Sequence, residues 1–243
     1  MKRKRNLKIA RYIAKLGAIW APAVFAVVIP ADAGAAKPLI RTTPEFFDFG
    51  HVPEGQRVFY RYWLANDGDD TLIVASVKPQ CGCTTVPLPS DRLAPSDSVP
   101  LDLSFDTKNL KGMVNKAVRI WSNDSTKVPA TIYFKASVND PERSIEVTPA
   151  AASLTSIDKP EQVIELSNRS NVGYAVGFES PVPAFLNCQF SSDMLAPKGT
   201  ITMRLTVGKG VPLGEYATSV TLRLEGDVPY MLTIPIRGVG YME

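Results

Sequence analysis

The stretch Val58-Phe59-Tyr60-Arg61-Tyr62-Trp63-Leu64-Ala65-Asn66-Asp67-Gly68 decides the fold class. Val58, Tyr60, Tyr62 and Leu64 alternate with Phe59, Arg61 and Trp63. A period of two places one set on an inward face and the other outward, which is a β-strand. Asn66-Asp67-Gly68-Asp69-Asp70 then closes it as a turn, because Asn and Asp bond their own main chain and Gly tolerates left-handed backbone. The same grammar runs outward in both directions. Thr71–Val77, Val99–Phe105, Val114–Trp121 and Ala130–Val138 read as strands, separated by a Pro/Ser/Asp loop around Leu93-Ala94-Pro95, by Gly112 and by Ser122-Asn123-Asp124-Ser125. No helical pattern is legible after residue 35.

The second half repeats the first at an offset of 102 residues. Leu64 and Asn66 map to Leu166 and Asn168, Leu93-Ala94-Pro95 to Leu195-Ala196-Pro197, Gly112 to Gly214, and Val118 and Ile120 to Val220 and Leu222. Near the end the apolar pattern aligns best at an offset of 100, pairing Pro129, Ile132 and Phe134 with Pro229, Leu232 and Ile234. Two repeats of short amphipathic strands without helices must bury their apolar faces sheet against sheet. The expected fold is all-β: two tandem immunoglobulin-like sandwiches, at 44–139 and 144–243, joined at Asn139-Asp140-Pro141-Glu142. Residues 36–43 read as a linker. The expected inward set is Tyr60, Tyr62, Leu64, Val118, Ile120, Ile132, Phe134 and Ala136 in the first repeat. In the second it is Ile164, Leu166, Val220, Leu222, Leu232 and Ile234.

Residues 1–35 have the form of a signal peptide. A basic segment runs to Lys15, an apolar one of 14 residues from Leu16 to Ile29, and small residues follow, with A-x-A cleavage sites after Ala33 and Ala35. The apolar segment falls short of the about 20 residues that span a bilayer. An exported protein, periplasmic or extracellular, is expected, with no membrane span after cleavage. Seven of the 27 basic residues but only one of the 24 acidic ones lie in this leader, leaving 20 against 23 in the body. A mildly acidic body offers no field for nucleic acid.

Phe47-Asp48-Phe49-Gly50, Asn66-Asp67-Gly68, Cys81-Gly82-Cys83-Thr84, Leu93-Ala94-Pro95 and Ser122-Asn123-Asp124 occur in that order. This series resembles an uncharacterised bacterial family of exported domains marked by an FDFG start and a CGCT motif. That family is in turn similar to the ASH domains of cilium and centrosome proteins and to major sperm protein. The resemblance covers about residues 44–139 and implies an Ig-like fold and export, with no established chemistry. The second repeat departs from it: it lacks FDFG, and Pro183 and Phe185 stand at the offset positions of Cys81 and Cys83.

Four readings of Cys81 and Cys83 are open. In an extended segment they project side by side, and free thiols are commonly buried as small hydrophobes. An exported location permits a disulfide between them, provided the about 6.5–7 Å of a fully extended pair is shortened. Two thiolates also make half a tetrahedral set for Cu(I) or Zn(II), for which His51, expected in a loop, is the only imidazole. The fourth reading is a covalent bond to a partner protein. Cys188 leaves an odd count and reads as a buried thiol or an intermolecular bridge.

Enzyme signatures are missing: there is one histidine, no Gly-x-Ser-x-Gly, no phosphate-binding glycine loop and no thioredoxin-like βαβ context. The acidic turn Asn66–Asp70 matches no calcium-loop spacing. Phe59, Arg61 and Trp63 form a possible partner surface if their face is uncovered. The expectation is a non-enzymatic binding or scaffolding protein without a cofactor, whose partner is another protein. A soft-metal or thiol-redox role through Cys81 and Cys83 is the alternative.

Overall fold

The computed structural model describes residues 36–227 and 229–241; the expected leader lies outside them. The first half contains β1 (Ile40–Thr43), β2 (Phe46–Val52), β3 (Arg57–Asn66), β4 (Leu72–Pro79), β5 (Thr84–Thr85), β6 (Arg92–Leu93), β7 (Ser98–Asp106), β8 (Gly112–Ser122) and β9 (Ala130–Val138). The second contains β10 (Ile145–Thr148), β11 (Ala152–Thr155), β12 (Glu161–Asn168), β13 (Tyr174–Phe178), β14 (Leu186–Phe190), β15 (Met194–Leu195), β16 (Thr200–Val207), β17 (Gly214–Glu225) and β18 (Tyr230–Gly240).

Each half is a pair of sheets with the same strand order. One sheet runs β1-β3-β7-β5 and its counterpart β10-β12-β16-β14. The other runs β2-β9-β8-β4-β6, matched by β11-β18-β17-β13-β15. This is the order of an immunoglobulin-like sandwich. In both halves a short parallel strand, β2 or β11, lies against the last strand, β9 or β18. Two cores result, one drawn from residues 40–138 and the other from 145–236. The inward residues expected from alternation are buried, Tyr60 excepted. Tyr60 is half-buried and stacks on Phe47, with ring centroids 3.5 Å apart.

Side-chain bonds to the backbone repeat along with the strands. The buried Asn66 amide donates to the carbonyls of Asp70 (2.8 Å) and Leu93 (3.1 Å). Asn168 donates to those of Val172 (2.7 Å) and Ala196 (2.9 Å). Each therefore ties its turn to the loop before the next long strand, satisfying carbonyls that the fold would otherwise bury bare. Ser96 and Lys198, 102 residues apart, both adopt left-handed backbone.

Two expectations are corrected. Residues 40–43 are not linker: β1 pairs with β3 from Ile40↔Asn66 to Thr43↔Trp63. The buried Asp124 carboxylate holds this strand by accepting the Ile40 amide at 2.8 Å. Burial pushes that carboxyl up, but hydrogen bonds from the Thr126 hydroxyl and from the amides of Ile40, Thr126 and Lys127 outweigh it and hold it low. Nor does the repeat offset shrink to 100. Val118 faces Ile132 across the hairpin, and Val220 faces Ile234. Ile132 therefore corresponds to Ile234, at 102.

The two sandwiches meet where β2 reaches β18. Leu232 pairs with His51 in parallel, so the β2 and β18 sheets continue into one of ten strands. The buried Thr233 hydroxyl donates to the Phe49 carbonyl at 2.6 Å. The Ser219 hydroxyl accepts from the Phe59 amide (2.8 Å) and donates to its carbonyl (2.9 Å). Gly50 is the closest approach. Its φ is +62°, and a Cβ there would stand 1.9 Å from the Met231 carbonyl oxygen. Gly55, at φ +72°, has open space instead. Gly55→Ala should therefore cost only the left-handed backbone, about 1–2 kcal/mol. Gly50→Ala adds a backbone clash and should cost at least about 3 kcal/mol in urea unfolding followed by tryptophan fluorescence. Equal losses would mean that the junction does not form this contact.

Candidate functional site

The outward face of the sheet β2-β9-β8-β4 carries the chemistry that the sequence left unassigned. Register sets its rows. Lys78, Arg119 and Thr131 lie side by side; Ala117, Tyr133 and Phe46 form the next row; Asn115, Lys135 and Asp48 the third. Phe46 (50% exposed) and Tyr133 (52%) are directly opposed large apolar side chains in solvent. The Lys135 ammonium stands 5.8 Å over the Phe46 ring, and that of Lys78 stands 5.4 Å over Trp121. Lys135 also pairs with Asp48 at 3.1 Å. Lys78 and Arg119 make no ion pair among the described residues. The face thus presents three cations to one carboxylate on a body whose net charge is negative. The signal was in the sequence: Thr131, Tyr133 and Lys135 are the outward set of the same alternation that named Ile132, Phe134 and Ala136 as core.

The surface expected at Phe59, Arg61 and Trp63 is divided. Phe59 is half-buried and bonded through its backbone to Ser219, so it belongs to the junction. Arg61 is spent on a bidentate pair with Asp102, at 2.6 and 2.9 Å. Trp63 alone stays open, 44% exposed, between Thr43 and Pro100.

Cys81, Gly82 and Cys83 lie in a turn between β4 and β5, not in an extended strand. The turn brings the two Cα atoms to 5.3 Å, and the sulfurs are joined as a disulfide. Both cysteines are half-buried, with Cys83 packed on the first core and Gly82 exposed. The buried Thr84 hydroxyl lies 3.7 Å from the Cys81 sulfur and 3.9 Å from that of Cys83. With both sulfurs bonded to each other, the soft-metal expectation at Cys81 and Cys83 finds no thiolate. No cluster of three His, Cys, Asp or Glu able to hold a metal occurs among the described residues. Cys188 is free on β14, and burial pushes its thiol up to about 11. In the Asn66–Asp70 turn the carboxylates are dispersed onto Arg41, the Lys37 amide and the Thr71 amide.

His51 is in β2 rather than a loop, because left-handed Gly50 absorbs the register shift between Asp48 and His51 and lets the strand continue. Its ring stacks on Tyr230 at 4.5 Å beside a junction cavity of about 110 Å³ that also touches Asp140, Arg143 and Leu232. Nδ1 is buried without a hydrogen bond, and Asp140 stands 3.8 Å away.

Residues 40–138 match the family model described as a protein of unknown function (DUF1573). These residues are similar to a DUF1573 domain. The match begins with the first residue of β1 and ends with the last of β9, so it spans the whole first sandwich, with Cys81 and Cys83 inside it. No curated protein matches the chain. Among solved structures, the chain is similar to a protein of unknown function from Porphyromonas gingivalis W83, at 14% identity and TM-score 0.34, covering 82% of this chain and 99% of that one. The periplasmic chaperone SfaE is similar at 13% identity and TM-score 0.32, over 84% of this chain and 100% of that one. A human CEP192 ASH / PapD-like domain is similar at 12% identity and TM-score 0.32, over 43% of this chain and 86% of that one. No helix among the described residues is long and apolar enough to cross a membrane.

Burial lowers the His51 pKa, opposed by Asp140, reinforced by Arg143 and opposed by Asp48. The unfolded chain therefore takes up a proton that the folded one refuses. This contribution to stability is whole above about pH 6.5 and is lost as the pH falls through that value towards the lower folded pKa. His51→Gln should flatten the dependence of the urea midpoint between about pH 5 and 7. Asp124, held low without help from His51, acts only below about pH 4 and should keep its effect, whereas Asp140, held low in part by His51, should lose some of its own. An unchanged slope in the variant would place the titration elsewhere.

Proposed function

We propose that this protein is an exported binding or scaffolding module. It docks an acidic segment of a partner protein on the outward face of β2, β9, β8 and β4. The observation that carries this reading is the use of the same face in the second repeat. Ser219, Thr221 and Thr233 correspond, at 102, to Ala117, Arg119 and Thr131. There, Ser219 and Thr233 are already bonded to the first sandwich, and Thr221 is bonded to Thr233. Sheet faces of this fold thus serve as docking surfaces within one chain. The first sandwich leaves the equivalent face open, with aromatic rings for buried contact and excess cations to attract and orient a negatively charged segment. Export is supported by the leader's three-part pattern and by a disulfide, a bond that persists in oxidising compartments.

The test titrates the ¹⁵N-labelled chain with an oligoglutamate peptide at low salt. Shifts should gather on Phe46, Lys78, Ala117, Arg119 and Tyr133. Lys78→Glu with Arg119→Glu should weaken binding about tenfold or more without changing the fold. Shifts that scatter over the surface, or that survive the double variant, would refute the docking face. Export has its own measurement. The intact mass of the protein recovered outside the cytoplasm should begin at Gly34 or Ala36, and a chain retaining residues 1–33 would contradict cleavage.

A further inference from the structure

The turn at Cys81 exists twice, and only once does it carry sulfur. In the first sandwich the Thr84 amide donates to the Cys81 carbonyl (3.4 Å) and the Asp106 amide to that of Cys83 (2.8 Å). In the second, the Leu186 amide donates to the Pro183 carbonyl (2.8 Å) and the Gly208 amide to that of Phe185 (2.7 Å). Each bond recurs at the 102-residue offset. The second sandwich closes the turn and seats it on the neighbouring strand with proline and phenylalanine, so neither step needs a disulfide. A bond that spans a single residue also removes little freedom from the unfolded chain, since the entropy a crosslink removes grows with the loop it closes. Fold stability is therefore a weak reason for this pair.

Its surroundings favour reaction instead. Both cysteines are only half-buried, and the exposed Gly82 between them has no atom other than those of its chain neighbours within 4 Å of where a Cβ would stand, leaving an approach for an incoming thiol. Cys83 is packed on the core while Cys81 is outside that cluster, which favours Cys81 as the end attacked. The Thr84 hydroxyl, itself 5% exposed, reaches both sulfurs. It is held where a thiolate forms when the bond opens, and a hydroxyl that donates to a thiolate favours it as a leaving group.

We propose that Cys81–Cys83 is a thiol–disulfide exchange site that oxidises a dithiol of a partner protein. A partner thiolate attacks the Cys81 sulfur, forming a mixed disulfide and breaking the Cys81–Cys83 bond. The electron pair leaves on the Cys83 sulfur, within reach of the Thr84 hydroxyl, and that thiolate takes up a proton. The partner's second thiolate then attacks its own sulfur in the mixed disulfide and releases Cys81 as a thiolate, which is protonated in turn. The partner leaves as a disulfide. Two electrons and two protons have passed from it to Cys81 and Cys83. Thr84 is a positioning residue, and Cys188, on the second sandwich, takes no part. The site is independent of the docking face: either can fail alone.

The experiment uses the oxidised mature chain and dithiothreitol as the dithiol, trapping free thiols by alkylation and counting them by mass. Reduction should proceed in the absence of denaturant, turning a chain with one alkylatable thiol into one with three. Cys81→Ser with Cys83→Ser should leave the thermal midpoint nearly unchanged. Thr84→Val should slow the reduction about tenfold and shift its pH profile upward, while Thr84→Ser keeps both near the parent. A disulfide that resists dithiothreitol until the protein unfolds would overturn the proposal, and so would a double serine variant that loses most of its thermal stability. Reduction indifferent to Thr84→Val would remove Thr84 from it.

Discussion

Everything larger than a single sandwich depends on how closely the backbone of β2 approaches β18. Gly50 has no side chain at the point where the Met231 carbonyl passes, and its left-handed backbone carries β2 on to His51. The Phe49 carbonyl accepts from the Thr233 hydroxyl of the other sandwich. A backbone carbonyl buried in a junction without such a donor would carry the full cost of its lost water. The Phe-Asp-Phe-Gly segment thus does two jobs. Its phenylalanines fill the first core, as Phe47 and Phe49 show, and its glycine admits the second sandwich. The second repeat has no such segment.

Sheet physics makes much of this legible in the sequence alone. Alternation named the buried residues of both cores because a strand with one wet face has no other stable arrangement. The same physics explains the error in the offset. Moving a strand by two residues returns every side chain to its original face, so Ile132 aligns with Leu232 as well as with Ile234 when only polarity is compared. The hairpin register distinguishes them. The misreading of 40–43 has another origin. Ile40-Arg41-Thr42-Thr43 is short and lies between Pro38 and Pro44. What makes it a strand is its pairing with β3, with its first amide held by the Asp124 carboxylate 84 residues away, and local pattern contains no trace of either contact.

The functional residues were legible in proportion to how far they depend on local geometry. Cys81 and Cys83 stood out by spacing, but the turn that joins them is set by hydrogen bonds to β7, and extended geometry would have held them too far apart. Phe59, Arg61 and Trp63 lie on one face of β3. Which of them stays open was decided by Ser219 and Asp102, groups on other strands. The face of Phe46, Tyr133 and Arg119 was visible only as the complement of a core set, since its membership comes from four strands brought together by register.

The central claim is that two repeats are fused through β2 into one body, leaving the first sandwich's sheet face and its sulfur-bearing turn open. Nuclear Overhauser effects in the mature chain test it most directly. The account predicts contacts from the Gly50 α-protons to Met231 and from the Ser219 side chain to the Phe59 amide, with one rotational correlation time for both halves. Absence of these contacts together with separate tumbling of the two sandwiches would contradict it.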